Sequence, residues 1–505
     1  MQMQWKTTMA VLAGIWLLTG CAVGPDFKPP PAPDTKTYTV GALPAETAAT
    51  AVTGGKAQRF LMGEKIPEQW WSIFHSEGLD QLIRRALANN PTTAAAQAAL
   101  RQARELLRAQ YGATWFPGVD AKLSAARERF GSASFGQGSG GSSAFGSPRF
   151  ELYNASVSVS YLLDIFGGQR RQLEALRAQV DYQRYQLQGT YLALTANIVT
   201  SAVREASLRA ELKATKDILA DQEKAYHLVQ RQFELGGISR ADVLAQRSQL
   251  AQTRASLPPL EKSLSQTRHQ LAVLVGIFPS QAGTLPEFDM KGIELPEALP
   301  VSLPSSLVRQ RPDIRASEAL LHAASAKVGV ATANLYPNIT LTGSYGFENN
   351  SLSDLFNNGS VVWNFGAGLL QPLFHGGELR AKRRAALAAY DQAFAQYRET
   401  VLQAFLEVSD ALRALTSDAR TLAAQFDAER AASDTLALTR KQFQVGAVSY
   451  LSLLDAQRQY QQARIRLIQV EGARFADTAA LFQAVGGGTW RSPSEGPKGA
   501  VKSGP

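Results

Sequence analysis

Tyr226–Leu257 reads YHLVQRQFELGGISRADVLAQRSQLAQTRASL, and Leu436–Leu467 reads LALTRKQFQVGAVSYLSLLDAQRQYQQARIRL. Phe233-Glu-Leu-Gly236 aligns with Phe443-Gln-Val-Gly446, and Ala245-Gln-Arg247 with Ala456-Gln-Arg458. The echo continues upstream. Asn90-Pro91 matches Arg311-Pro312, Trp115-Phe-Pro117 matches Leu335-Tyr-Pro337, and Ile165-Phe-Gly-Gly168 matches Leu373-Phe-His-Gly-Gly377. A period of about 210 residues is far longer than one solenoid unit. The chain is therefore a duplicated half-molecule, each half carrying long helical text interrupted by a short β-like insert.

The inserts alternate. Tyr153, Ala155, Val157, Val159, Tyr161 and Leu163 share one face of a strand, and Asn154, Ser156, Ser158 and Ser160 the other. Val119–Ala125, Ile339–Phe347 and Val361–Leu369 alternate in the same way, which makes four strands with one apolar and one polar face. Such a strand belongs to a soluble sandwich or to an outer-membrane barrel, where the apolar face meets lipid. The connections Gly131–Ser147 and Phe347–Gly359 are long and rich in Gly, Ser and Asn, as in the mobile outer loops of barrels. Trp115, Phe116, Tyr161, Phe166, Tyr336 and Phe374 gather near the strand ends, as in an interfacial girdle. Four strands do not close a barrel, and an open edge in lipid leaves backbone groups unpaired at several kcal/mol each. If these strands span a membrane, the barrel is shared between chains.

The helices are long. Glu378 to Val445 holds neither Pro nor Gly, and Tyr390, Phe394, Tyr397, Val401, Phe405, Val408, Leu412 and Leu415 step by fours and threes. That is a coiled-coil-like seam. About 65 residues at 1.5 Å each predict a rod near 100 Å. Leu187, Tyr191, Leu194 and Ile198 repeat the spacing in the first half. The rods stop at Gly236-Gly237 and at Gly446, and resume after Ser239 and Ser449, which suit N-cap positions. A helix from about 78 to 113 is expected to carry a boundary at Pro91. Residues 24–66 are rich in Pro, Ala, Thr and Gly and read as an extended strap with little regular structure.

The N-terminus is a targeting device. Lys6 precedes the apolar run Met9–Leu18, too short to span a bilayer, and Leu18-Thr-Gly-Cys21 resembles a bacterial lipobox. Cys21 is the only cysteine, so no internal disulfide forms, and it is the expected lipidation site. Ala22 in place of aspartate resembles an outer-membrane address. Of 505 residues, 45% are hydrophobic and 19% charged, and a net charge of +9 is spread along the chain rather than clustered. That dispersal argues for solvated helix faces and against nucleic-acid binding.

Cys21-Ala-Val-Gly-Pro-Asp-Phe27, Trp70-Trp71, Arg311-Pro-Asp-Ile-Arg-Ala316 and Tyr336-Pro-Asn-Ile339 resemble the TolC-like outer-membrane factor family. Within it, the lipoprotein branch paired with RND-type pumps (the NodT/OprM-like group) is the closest in pattern. The resemblance covers roughly residues 21–486 and implies a mixed α+β membrane protein. Long helical hairpins would form a periplasmic α-barrel. Four strands per protomer would enter one twelve-stranded barrel of a homotrimer. It further implies a passive exit duct in the outer membrane of a Gram-negative bacterium. A periplasmic adaptor and an inner-membrane RND pump are the partners, and drugs or other small toxic molecules the cargo. In Gly446-Ala-Val-Ser-Tyr-Leu-Ser-Leu-Leu-Asp455, Leu451 and Asp455 fall where the family places the periplasmic gate. Asp242 is taken as the first-half relative and gate partner. Related channels often carry a second acid where this chain has Ser452. The hairpin tips, Gly236 and Gly446, would meet the adaptor.

The corresponding organisation is a signal peptide at 1–20, an anchor and strap at 21–77 and a first repeat at 78–278 with its β-hairpin at 115–166. An inter-repeat linker follows at 279–301, then a second repeat at 302–485 with its β-hairpin at 337–375, and a tail at 486–505. No histidine is in metal-ligand spacing, no phosphate-binding loop appears, and no carboxylate pair is singled out for acid–base work. An enzyme is not expected, and no cofactor beyond the lipid on Cys21. Two other functions fit parts of the pattern: a lipoprotein adhesin or scaffold with a soluble sandwich, and an exit duct for type I protein secretion.

Overall fold

In the four-stranded sheet, every strand is antiparallel to its neighbours. Its members are β2 (Gly118–Arg129), β3 (Arg149–Leu163), β5 (Asn338–Asn349) and β6 (Val361–Leu370), in the order β2-β3-β5-β6. The structure is a computed structural model and describes residues 22–129 and 149–488. The expected signal peptide at 1–20, Cys21, the whole 131–147 loop and residues 489–505 of the tail therefore lie outside the described residues. The two inserts join side by side into one sheet, and the register carries the sequence alternation across all four strands. Val119, Val159, Gly343 and Phe365 form one row, Ala121, Val157, Tyr345 and Trp363 the next, and Leu123, Ala155, Phe347 and Val361 a third. On the opposite face, Asp120, Ser158, Ser344 and Asn364 align. The apolar rows are open: Leu123 is 78% exposed, Trp363 74% and Phe365 76%.

Eight α-helices occur among the described residues: α1 (Glu77–Asn89), α2 (Pro91–Trp115), α3 (Gly168–Glu234), α4 (Arg240–Val275), α5 (Pro304–Gln310), α6 (Pro312–Ala333), α7 (Glu378–Gln444) and α8 (Tyr450–Ala484). Both α3 and α7 run 67 residues, about 100 Å at the α-helical rise. None of the helices among the described residues is long and apolar enough to cross a membrane. On α7, Tyr397, Val401, Val408, Leu412, Leu415 and Leu422 are buried, whereas Leu387, Phe394, Leu402 and Leu406 remain exposed.

The expected helix at 78–113 is two helices, broken at Asn90-Pro91. Proline cannot donate a backbone hydrogen bond and disfavours the helical region at the residue before it. Asn90 accordingly turns to φ −67°, ψ 125°. Its carboxamide oxygen then accepts the backbone N–H groups of Thr92 (2.8 Å) and Thr93 (3.2 Å), capping α2. Arg311 before Pro312 adopts the same backbone, φ −67°, ψ 126°.

The strap is more regular than its composition suggests. It contains β1 (Arg59–Met62), which pairs in parallel with β4 (Ala298–Val301) of the inter-repeat segment. Trp70–Phe74 forms a 3-10 helix whose Trp70 ring stacks on Phe482, centroids 5.5 Å apart. The ladder partner lies some 240 residues away, so local composition carries no sign of it. The loop between β5 and β6 is likewise built rather than loose. Leu355 is 1% exposed, Asn349 donates to the Ser360 hydroxyl at 2.7 Å, and Phe356 meets Phe347 edge to face.

Two compact units divide the chain, and each draws on both repeats. Of the described residues, one holds 22–29, 101–129, 149–182 and 318–396; the other holds 30–100, 183–317 and 397–488. The four-stranded sheet lies in the first. In the second, Arg311 joins three segments. Its guanidinium grips Asp313 (2.6 and 3.0 Å), Glu407 (2.7 Å) and the Ala484 carbonyl (2.6 Å). Arg315 donates to the Tyr185 hydroxyl at 2.8 Å and lies over its ring. The Arg-Pro-Asp-Ile-Arg motif is thus a structural junction.

Candidate functional site

Helix α3 ends at Glu234 and α4 begins at Arg240; α7 ends at Gln444 and α8 begins at Tyr450. Both turns close alike. Gly236 (φ 77°) and Gly446 (φ 74°) adopt the left-handed conformation that side chains disfavour. Gly236 N–H reaches the Phe233 carbonyl at 2.9 Å, and Gly237 N–H that of Gln232 at 2.8 Å. Gly446 N–H to Phe443 (3.0 Å) and Ala447 N–H to Gln442 (2.8 Å) repeat the pattern, a Schellman closure at each tip. A side chain at either glycine would meet nothing within 4 Å, so the requirement is one of backbone conformation alone.

Ser239 and Ser449 cap the returning helices. The Ser239 hydroxyl accepts from Asp242 N–H at 3.2 Å, and the Asp242 carboxylate accepts from Ser239 N–H at 3.1 Å, a full capping box. The Ser449 hydroxyl accepts from Ser452 N–H at 3.2 Å, with a second serine in place of the acid. Counted from the caps, Asp242 corresponds to Ser452, while Asp455 corresponds to Ala245. Asp242 is thus the first-half relative of Ser452, and the Ala-Gln-Arg echo is one residue out of step with the caps. Asp242 spends its carboxylate on its own helix end.

Leu451 is 65% exposed at the start of α8. One turn later, the half-exposed Asp455 carboxylate accepts from Arg458 Nη2 (2.7 Å) and Gln459 Nε2 (2.8 Å). Asp455 is therefore a paired carboxylate, its charge partly offset within the same helix. Leu451 and Asp455 are four apart and share a face.

Tyr450, beside them, was not marked out by sequence reasoning. It is buried with Val229, Leu453 and Leu454, against Ile238, Val243, Leu436 and Phe443. Its hydroxyl donates to Gln246 Oε1 at 2.6 Å, and Gln246 Nε2 donates to the Gln222 carbonyl at 3.1 Å. One hydrogen-bond chain thus runs from α8 through α4 to α3 and ties the two hairpins together near their tips. Burial, and then the Asp242 charge, hold the Tyr450 hydroxyl well above its ordinary pKa, so it stays a donor. An aromatic residue directly after a serine N-cap was the available signal. Among the described residues, no group of three or more His, Cys, Asp or Glu is arranged to hold a metal ion.

The outer membrane efflux protein profile matches residues 82–277 and 303–487. The chain belongs to the outer membrane efflux protein family. Similar proteins include the pyoverdine export outer membrane protein OpmQ of Pseudomonas aeruginosa, 33% identical over 85% of this chain and 89% of OpmQ. The probable efflux pump outer membrane protein TtgC of Pseudomonas putida is 30% identical over 97% of both chains. The solved outer-membrane channel OprN superposes with a TM-score of 0.80 at 29% identity, covering 93% of this chain and 99% of OprN. This family member is an efflux channel of the Gram-negative outer membrane, the outer component of a tripartite pump. It is a conduit and not an enzyme. An adhesin or a soluble sandwich is set aside by the same finding.

Proposed function

We propose that three copies of this efflux protein join their strands into one twelve-stranded barrel and their long helices into a periplasmic tunnel. The observation that carries this reading is the four-stranded sheet. It has a continuous, exposed apolar face and two edges, on β2 and β6, that pair with no other strand among the described residues. Such a sheet is untenable in lipid until its edges are paired, and closure between copies pairs them. The exposed Leu387, Phe394, Leu402 and Leu406 on α7 supply apolar surface for packing between copies. Cys21 carries the lipid that anchors each copy.

The duct is passive. An RND-type inner-membrane pump and a periplasmic adaptor supply energy and coupling, and drugs or other small toxic molecules are the cargo. The adaptor meets the tips at Gly236 and Gly446. Leu451 forms the apolar constriction of the resting gate, and three Asp455 carboxylates a ring that favours cations. The Arg458 partner weakens that bias relative to a bare acid ring. Asp242 contributes to the gate through the cap it completes rather than as a second ring.

The test is single-channel recording from purified protein in a planar bilayer. The native channel passes a small, cation-biased current, and Leu451→Ala with Asp455→Ala raises it without changing assembly. Unchanged conductance in an assembled double variant refutes the gate assignment. Absence of current in both refutes the duct.

A further inference from the structure

Residues 22–27 lie at the surface, with Gly24, Pro25 and Asp26 exposed, yet they are held by specific contacts. They occupy a site built from the start of α3 and the middle of α6. Arg171, its side chain 7% exposed, reads three successive carbonyls of this segment: Val23 from Nε (3.2 Å), and Ala22 (3.5 Å) and Gly24 (3.3 Å) from Nη2. The same guanidinium binds the Asp26 carboxylate at 2.7 Å and Glu174 at 2.8 Å. Val23 N–H donates to the Phe166 carbonyl at 3.1 Å. The Phe27 ring stacks on His322, centroids 4.3 Å apart and 11° from parallel, and His322 Nε2 is 2.9 Å from the second Glu174 oxygen.

The steric fit is equally specific. Gly24, at φ 99°, lies against Gly329 of α6, and a side-chain carbon at Gly24 would overlap the Gly329 backbone. A carbon on Gly329 would strike the Arg171 stem, and one on Gly167 would strike Ala22. Backbone carbonyls, one acid, one ring and a glycine-to-glycine contact together make a receptor for a single extended peptide. One cation serving three carbonyls and two carboxylates makes the interactions depend on one another.

We propose that Arg171, Gly329 and His322 form a docking site for the chain's own residues 22–27. This site, rather than the lipid, holds Ala22 and Val23 beside the Phe166-Gly167 turn that leaves the sheet. There the Phe166 ring stacks on Tyr336 at 4.8 Å. The consequence rests on Cys21 being the lipid-bearing residue: the acyl anchor then enters the bilayer at a set place under the strands instead of swinging on a tether.

Chymotrypsin reads the docking, because it cleaves after Phe27 only when that ring leaves His322. Purified full-length protein in detergent micelles is digested, and the new N-terminus at Lys28 and the released fragment are followed by mass spectrometry. Proteolysis of a segment that opens and closes quickly tracks the population of the open form. The native chain resists, and Gly24→Val, which alters only the segment, is cleaved at least about tenfold faster. Arg171→Ala behaves like Gly24→Val. A Cys21→Ser chain, exported behind a non-lipoprotein signal sequence, stays as resistant as the native chain. Equal rates for native protein and Gly24→Val overturn the docking site. A Cys21→Ser chain as labile as Gly24→Val shows that the lipid holds the segment, which also overturns it. The mass of the released fragment reports separately whether Cys21 is acylated, so failure of the lipid reading is distinguishable from failure of the site.

Discussion

Substituting Tyr450→Phe removes one oxygen from the junction between the two hairpins and leaves its ring in place. Tyr450 is 5% exposed and Gln246 0%, so the lost bond leaves a buried carboxamide oxygen without its donor. An unsatisfied buried acceptor costs about 1–3 kcal/mol. At about 1.4 kcal/mol per factor of ten, the detached tip becomes roughly 5- to 150-fold more populated. Hydrogen exchange with mass spectrometry measures this directly. Amides of residues 450–458 exchange faster by that factor, while those of 471–484, on the same helix, keep their protection. Pairing Tyr450→Phe with Gln246→Leu removes donor and acceptor together and recovers part of the protection, since replacing both partners is nearly neutral while the bond from Gln246 to the Gln222 carbonyl is lost. Unchanged exchange at 450–458, or faster exchange along the whole helix, refutes the reasoning.

Gly446→Ala forces a side chain into the left-handed conformation with no steric clash to obscure the cost. The tip loses about 1–2 kcal/mol, read as faster exchange at 445–449, and Gly236→Ala does the same in the first repeat. Arg311→Met strands Asp313 and Glu407 and frees the Ala484 carbonyl. Both carboxylates keep over 40% of their surface exposed, so the loss is about 2–3 kcal/mol, below the ~3–5 of a fully buried pair. Native-state proteolysis then accelerates about 30-fold or more. Burial, and then a hydrogen bond with Asp477, raise Asp418 from 3.8 to about 7. The folded protein therefore holds this proton more tightly than the unfolded chain. Its stabilising contribution is full below pH 3.8 and is lost as pH rises toward about 7. Asp418→Asn flattens that part of a denaturation-versus-pH profile, and an unaltered slope between pH 4 and 7 contradicts the assignment.

Local chemistry was legible in the sequence by itself. The alternation in Tyr153–Leu163 settles which face of a strand is apolar, because the side-chain period of a strand is two. Pro91 and Pro312 each open a helix after a break, because proline lacks the N–H and disfavours the helical region at the residue before it, although Pro258 and Pro259 stand inside α4. Gly236, Gly446, Ser239 and Ser449 mark their turns because Schellman closures and N-caps join residues at most five apart. Duplication of these signals marks both hairpins in the sequence. What the tertiary structure decided is the pairing of distant groups. The strand order β2-β3-β5-β6 merges inserts from both repeats, and β1 in the strap finds β4 about 240 residues later. Arg311 meets Glu407 and Ala484, Tyr450 meets Gln246, and Arg171 gathers residues 22–26. Each of these depends on three-dimensional proximity, which no local period encodes.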